Sequence, residues 1–366
     1  MKVLNVVGAR PNFMKMAPIV RAMNRYPEAF QHFLVHTGQH YDAILSDAFF
    51  RDLDLPTPDI TLGAGSDTTA RQIGRIMMLF EETCIENRPD LVLVVGDVNS
   101  TLACALTAKT LGIRIAHVEA GNRSGDLTMQ EEVNRLCTDA FADLLFASDR
   151  IATANLEREN IAADRIHFVG NVMIDTLFKH RAAAAKLPLR DELGLTPGGY
   201  GLVTLHRPSN VDDRETLKGI LEALREIAED LPLVLPMHPR TRKMVDAFGF
   251  ANFFTTGGKA RSLYATPPLS YLEFLSLMLS ARLVLTDSGG IQEETTALGI
   301  PCLTLRNTTE RPVTCSEGTN RLIGTGKQAI LDAGKRALSA PPVAGKVPEK
   351  WDGKAAERIV AVLRDN

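Results

Sequence analysis

Short runs that are apolar at almost every position, rather than at every second one, constrain this chain most. KVLNVVG (2–8), FLVHTG (33–38), LVLVVGD (91–97), IRIAHVEAG (113–121) and LLFAS (144–148) lie in its first half. Each is followed by a turn and usually by an amphipathic helical stretch such as NFMKMAPIVRAMNRY. A strand apolar on both sides must be covered on both sides, which is the property of a parallel sheet between helices. The helix VMIDTLFKHRAAAAKL (172–187) leads into a Pro/Gly-rich stretch, LPLRDELGLTPGGYG (187–201). The alternation then restarts with LVTLH (202–206), PLVLPMH (232–238), RLVLTD (282–287) and PCLTLR (301–306). The tail WDGKAAERIVAVLRD (351–365) reads as one last amphipathic helix. A chain of 366 residues fits two such α/β domains, with a boundary expected near residue 170 and a cleft between them. In parallel sheets ligands sit beyond the carboxyl ends of the strands, so the residues just after these runs are the functional candidates.

Composition removes several alternatives. A formal charge of −3 gives no basic footprint for nucleic acid. The five cysteines are scattered and form no CxxC pair, a pattern that fits a reducing cytoplasm and offers no metal-site spacing. Arg10 interrupts the first apolar run before a signal peptide could form, and no apolar stretch is long enough to span a bilayer. The expectation is a cytoplasmic protein away from the membrane.

The strand ends carry a consistent chemistry. In GARPNFMK (8–15), Pro11 suits a helix N-terminus, and Arg10 and Lys15 lie near that positive end, where an anion would be held. GxGxxG is absent there, so no dinucleotide fingerprint is present. VVGDVNST (94–101) places Asp97 and Ser100 where a helix cap is expected. In HVEAGNRSGDLTMQEEVNR (117–135), Glu119 continues a buried strand, which is costly for a carboxylate unless it is paired or used. Glu131 and Glu132 open the next helix, and Glu131 is spaced to pair with Arg135 on its surface. His117-x-Glu119 matches half of a zinc deaminase motif, but no PCxxC partner exists, so zinc is rejected. His206 and His238 both end strands with Arg207 and Arg240 close behind. TDSGGIQEE (286–294) combines a phosphate-type Ser-Gly-Gly turn with Glu294 about a turn into the helix, and LRNTTERP (305–312) borders the same edge. Glu293 reads as a solvated neighbour. An anion, a polyol and acid–base chemistry are gathered by these residues.

GARPNFMKMAP, TGQHYD, VVGDVNSTLA, HVEAGNRSGD, EEVNR, LHRPSN, LTDSGGIQEE and RNTTERP occur in the order and approximate spacing of the UDP-N-acetylglucosamine 2-epimerases, and the chain resembles their non-hydrolysing branch. The resemblance implies a GT-B-like α/β fold of two Rossmann-type domains, 1–170 and 171–351, with the C-terminal helix 352–366 packing back onto the first. It implies interconversion of UDP-GlcNAc and UDP-ManNAc by loss of UDP to a 2-acetamidoglucal and its re-addition, without cofactor or metal. By the same resemblance Asp97, Glu119 and Glu131 are the catalytic carboxylates, with His206 beside them. Arg10 and Ser288, Gly289 and Gly290 hold the diphosphate, Glu294 the ribose, and Phe274 packs on uracil. Lys15, His238 and Arg311 support them. A homodimer supplying ManNAc for surface polysaccharide is the implied setting. The alternatives are a 2-epimerase of a diacetamido-uronic UDP-sugar, a hydrolysing epimerase and a GT-B glycosyltransferase.

Overall fold

Two all-parallel sheets organise the computed structural model, which describes residues 1–39, 54, 56–255, 262–339 and 345–366. The first contains β1 (Lys2–Val7), β2 (Gln31–His36), β3 (Ile60–Thr61), β4 (Leu91–Val95), β5 (Arg114–Ala120), β6 (Leu144–Ala147) and β7 (Ile166–Phe168). Its order is β3-β2-β1-β4-β5-β6-β7, every neighbouring pair parallel. The second contains β8 (Gly201–Thr204), β9 (Leu233–Pro236), β10 (Leu263–Thr266), β11 (Leu283–Thr286), β12 (Cys302–Thr304) and β13 (Asn320–Leu322), in the order β10-β9-β8-β11-β12-β13. His40, Tyr41 and Asp42 of the TGQHYD block lie outside the described residues.

Every apolar run quoted above forms a strand. The strands that the sequence left unmarked are β3, β7, β10 and β13, which are the outer strands of the two sheets. An outer strand is covered less completely, so its residues are mixed: all of β7 is only partly buried, and two of the three residues of β13 are exposed. Inner strands show the opposite, with Leu91–Val95 of β4 buried throughout. Each buried Val or Leu contributes roughly 1.5–3 kcal/mol, which is why polar groups collect at the strand ends instead.

The sheets belong to separate units: Met1–Lys179 with Glu349–Asn366, and His180–Pro348. The division lies inside the helix Val172–Ala184, later than the expected residue 170. The C-terminal helix Ala355–Asp365 is part of the first unit. Asp175 receives the backbone N–H groups of Ala355 (3.1 Å) and Ala356 (2.8 Å) at its positive end. Buried Trp351 donates to the carbonyl of Ser148 at 3.0 Å just before it. In each sheet the winding reverses once, between β1 and β4 and between β8 and β11. Ligand crevices form at such reversals, and the candidate residues follow those strands.

Candidate active site

In the first unit the reversal brings together the turns after β1, β4 and β5. Asn12, in the first turn of the helix Arg10–Met23, accepts the N–H groups of Gly8 (3.2 Å) and Ala9 (3.0 Å). Its amide nitrogen donates to the carbonyl of Val95 at 3.0 Å, tying the end of β1 to that of β4. Arg10 opens this helix, half-buried, with no acid in the first turn to compete for an anion. Lys15 is buried one turn further on, and its ammonium meets the Glu119 carboxylate at 2.6 Å. Its charge is therefore directed to that carboxylate.

Glu119 is held in an unusual backbone state. Its φ is +69°, in the left-handed region that a side chain with a Cβ seldom adopts, and the pairing of β5 with β6 slips between Val118 and Ala120. Such a bulge re-aims a side chain, and residues kept in this region cost of order 1–3 kcal/mol. Gly96, with φ +70°, borders the pair: a Cβ there would lie 3.3 Å from the Lys15 nitrogen and 3.7 Å from a Glu119 oxygen. Next in the chain, Asp97 receives the guanidinium of Arg135, and its backbone carbonyl accepts from Asn134 at 2.8 Å. Asp97 is not a helix cap. Extended Val98 takes that position, and Ser100 donates its hydroxyl to Gln39 at 2.7 Å.

The expected surface pair of Glu131 and Arg135 is not the one formed. Glu131 is exposed in the first turn of the helix Gln130–Phe141, whereas Arg135 is buried between Asp97 and Glu132. Glu132, also buried, accepts the N–H groups of Ser124 (3.0 Å) and Gly125 (2.9 Å) and the Ser124 hydroxyl (3.1 Å). Burial pushes its carboxyl up, but these N–H donors and Arg135 more than offset that and hold it low. Behind this layer, His117 contacts Asp139 at 2.6 Å through Nδ1 and the carbonyl of Gly96 at 2.8 Å through Nε2. Asp139 also accepts the N–H of Gly121 at 2.9 Å. Burial works against the charge of Asp139, yet His117, Arg123 and that N–H keep it ionised. The His-Asp pair thus fastens the backbone on either side of Glu119.

In the second unit, Asp287 ends β11 and faces the residues after β8. One of its oxygens accepts the N–H groups of His206 (2.8 Å) and Arg207 (2.9 Å) and the amide of Asn210 (3.2 Å). The other lies 2.7 Å from Nδ1 of His206. The His238 ring is 5.4 Å from that of His206, and His238 caps the helix Pro239–Phe248 by accepting the Arg240 N–H at 3.2 Å. Ser288 begins the helix Gly289–Leu298 without a side-chain cap, and its own N–H donates to the Thr286 hydroxyl at 3.0 Å. A Cβ on Gly289 would stand 2.6 Å from a Glu310 oxygen, whereas one on Gly290 would meet nothing within 4 Å. Gly290 is the open face.

The two acids of QEE have separate duties. Glu293 is 1% exposed and paired with the buried Arg311, so the solvated neighbour expected from the sequence is not found. Glu294 is 2% exposed and accepts the Tyr271 hydroxyl at 2.7 Å. Burial raises its carboxyl to about 7, helped by the charge of Glu293 and opposed by the Tyr271 bond. Phe274 is half-buried on the helix Tyr271–Met278 that also carries Tyr271. Glu310 meets Arg306 at 2.9 Å and Arg207 at 3.5 Å. Burial opposes its charge, but Arg311, Arg306 and Arg207 hold it down at about 2.

Sequence reasoning did not single out Glu132, Asp139 or Asp287. Each is an acid that turns inward; Glu132 was signalled only by its place in a first helical turn and Asp287 by following a strand, while Asp139, in the last turn of its helix, carried no such signal. Among the described residues no group of His, Cys, Asp and Glu is placed to hold a metal ion, and no helix is long and apolar enough to cross a membrane.

Residues 21–364 match the family model described as UDP-N-acetylglucosamine 2-epimerase. The chain belongs to that family. Within these epimerases it is 39% identical to the UDP-N-acetylglucosamine 2-epimerase of Methanocaldococcus jannaschii, covering 99% of both chains. It is 40% identical to the UDP-2,3-diacetamido-2,3-dideoxy-D-glucuronate 2-epimerase of Pseudomonas aeruginosa, covering 92% of each. The crystal structure of the M. jannaschii epimerase in complex with UDP-GlcNAc and UDP superimposes with a TM-score of 0.90 over 100% of both chains. The paired Rossmann-type sheets are thus the GT-B-like fold of these isomerases, of the non-hydrolysing branch.

Proposed function

We propose that the chain interconverts UDP-GlcNAc and UDP-ManNAc by eliminating UDP, protonating C2 on its opposite face and returning UDP to C1. The observation that carries this reading is the strained Glu119 paired with Lys15, set beside Asp97 and its own buried partner Arg135. Two carboxylates held by buried cations, Lys15 on Glu119 and Arg135 shared by Asp97 and Glu132, support proton transfer at C2. That hydrogen is not acidified by a carbonyl, so abstraction is coupled to departure of the diphosphate from C1. In this reading Asp97, Glu119 and Glu131 exchange the C2 proton, and His206 serves the leaving group. Arg10 and the Ser288-Gly289-Gly290 turn take the diphosphate, through the Ser288 hydroxyl and the N–H groups of Gly289 and Gly290. Glu294 accepts the ribose hydroxyls, and Phe274 lies against uracil. Lys15 and Arg311 act through Glu119 and Glu293, and His238 supports His206. The bound UDP-GlcNAc and UDP of the M. jannaschii relative support a UDP-sugar substrate.

A second reading shares the chemistry and changes the sugar. The P. aeruginosa relative acts on a diacetamido-glucuronate, so that UDP-sugar is the alternative substrate. Incubation with each UDP-sugar in D₂O, followed by proton NMR, separates them. The proposal expects deuterium at C2 and the manno epimer from UDP-GlcNAc; turnover of the uronate alone would select the second reading, and free ManNAc a hydrolase. The accompanying setting is a cytoplasmic homodimer that needs no metal or organic cofactor and supplies ManNAc for surface polysaccharide. Light scattering on the purified protein tests the dimer.

A further inference from the structure

We infer that Asp287 is a positioning residue for His206, fixing which imidazole nitrogen faces a bound nucleotide-sugar and keeping that nitrogen a proton donor. This rests on the reading of His206 as the group that serves the leaving diphosphate. Three N–H donors saturate one oxygen of Asp287, at 2.8, 2.9 and 3.2 Å, and so fix the carboxylate plane. The remaining oxygen has Nδ1 of His206 at 2.7 Å. A carboxylate that already receives three N–H groups is ionised and can only accept, so Nδ1 carries a hydrogen. Nε2 is then the nitrogen left to the substrate side, on a ring that is 39% exposed while Asp287 is wholly buried.

Burial opposes the charge of Asp287, but His206 and the two backbone N–H groups hold its carboxyl below the ordinary range. Two other groups face or adjoin the ring. The His238 ring lies 5.4 Å away, and Arg207 is turned toward the Asp287 carbonyl at 3.1 Å and Glu310 at 3.5 Å. A permanent carboxylate on Nδ1 stabilises the doubly protonated ring, as the buried acid does in an Asp-His catalytic pair. Asp287 is also the residue directly before the Ser288-Gly289-Gly290 turn, so one backbone segment sets both the proposed diphosphate site and the proton donor.

The proton balance is closed. In the elimination a carboxylate takes the C2 proton, and the C2–H electron pair forms the C1–C2 double bond. The C1–O bond then breaks toward the diphosphate, and that oxygen receives the proton from Nε2 of His206. In re-addition an acid on the opposite face protonates C2, the diphosphate oxygen gives its proton back to His206 and bonds again to C1, and the carboxylates re-equilibrate with solvent, so no oxidant or co-reactant enters.

The test is a double-mutant cycle. Asp287→Asn is expected to lower kcat by about 100-fold or more, with KM changed less than about threefold. In a His206→Gln background the same change should cost less than about threefold, because its effect passes through the ring. An equal cost in both backgrounds overturns the inference and makes Asp287 merely structural. A His206→Gln enzyme with unchanged kcat removes instead the reading of His206 on which it rests. Should Asp287→Asn not fold, nitrogen-15 NMR of the unaltered protein decides, with His206 assigned by its loss in His206→Gln. A ring that keeps its hydrogen on Nδ1 while Nε2 gains and loses its own supports the inference, and a neutral ring protonated at Nε2 overturns it.

Discussion

If Glu294 accepts the ribose hydroxyls, nucleotide-sugar binding releases protons. The carboxyl lies at about 7 in the free protein, first because it is buried and then because Glu293 adds repulsion, against the bond from Tyr271. Two ribose hydroxyls donating to it favour the charged form and draw its pKa toward the ordinary ~4.3. Free protein would then be roughly one-tenth ionised at pH 6 and nine-tenths at pH 8, so affinity should rise about tenfold across that range, ~1.4 kcal/mol. About half a proton should be released per ligand at pH 7. The clean ligand is UDP-GlcNAc, whose diphosphate is esterified at both ends and does not titrate here. Asp97→Asn protein suppresses turnover during titration calorimetry in buffers of different ionisation enthalpy. Glu294→Gln should abolish the released proton and flatten the pH dependence, binding about 10- to 100-fold more weakly at pH 8. The sign for stability is opposite. A carboxyl raised on folding contributes least above its folded pKa, so ligand-free protein should lose stability from about pH 4.5 to about 7, on the order of 3 kcal/mol. Glu294→Gln should therefore melt higher than the unaltered protein at pH 8 without ligand. No proton release, or the same release from Glu294→Gln, refutes the ribose role.

Other perturbations separate support from chemistry. Gly290→Ala should leave melting unchanged, since its Cβ meets nothing within 4 Å, but should weaken UDP binding in an equilibrium titration. Gly289→Ala should do the reverse in part, lowering melting through the 2.6 Å clash with Glu310. Glu132→Gln leaves Arg135 with one carboxylate partner and loosens the Ser124–Gly125 turn. Calorimetry should show a loss of about 2–3 kcal/mol, with a fall in kcat. Asp97→Asn and Glu131→Gln should each lower turnover by about 100-fold or more in a progress assay while circular dichroism is unchanged; near-normal turnover would remove them from the C2 chemistry.

Legibility in the sequence followed coverage. Inner strands such as Leu91–Val95 announce themselves because both faces are buried, whereas Ile166–Phe168 and Asn320–Leu322 at the sheet edges do not. Strand ends located Asp97, Glu119 and His206 for the same reason, since polarity is expelled to where the apolar run stops. What could not be read was which neighbour a charge would choose. Glu131 and Glu132 are adjacent on one helix, and only the approach of Asp97 from the end of β4 decides that Arg135 turns inward to Glu132. Glu293 looked solvated because its partner Arg311 arrives from beyond another strand, β12. The left-handed backbone of Glu119 left no mark either, because a glutamate there is chosen by tertiary contacts rather than local preference.

Breaking of the C1–oxygen bond separates elimination from any direct inversion at C2, and isotope scrambling reads it. UDP-GlcNAc labelled with ¹⁸O in the sugar–phosphate bridge is incubated with the protein in D₂O and followed by phosphorus and proton NMR. If UDP leaves the sugar, the label moves from the bridge into the non-bridging oxygens of the β-phosphate while deuterium enters C2, both no slower than epimerisation. Epimerisation with deuterium at C2 but the label still wholly in the bridge would contradict it, because UDP would never have left the sugar.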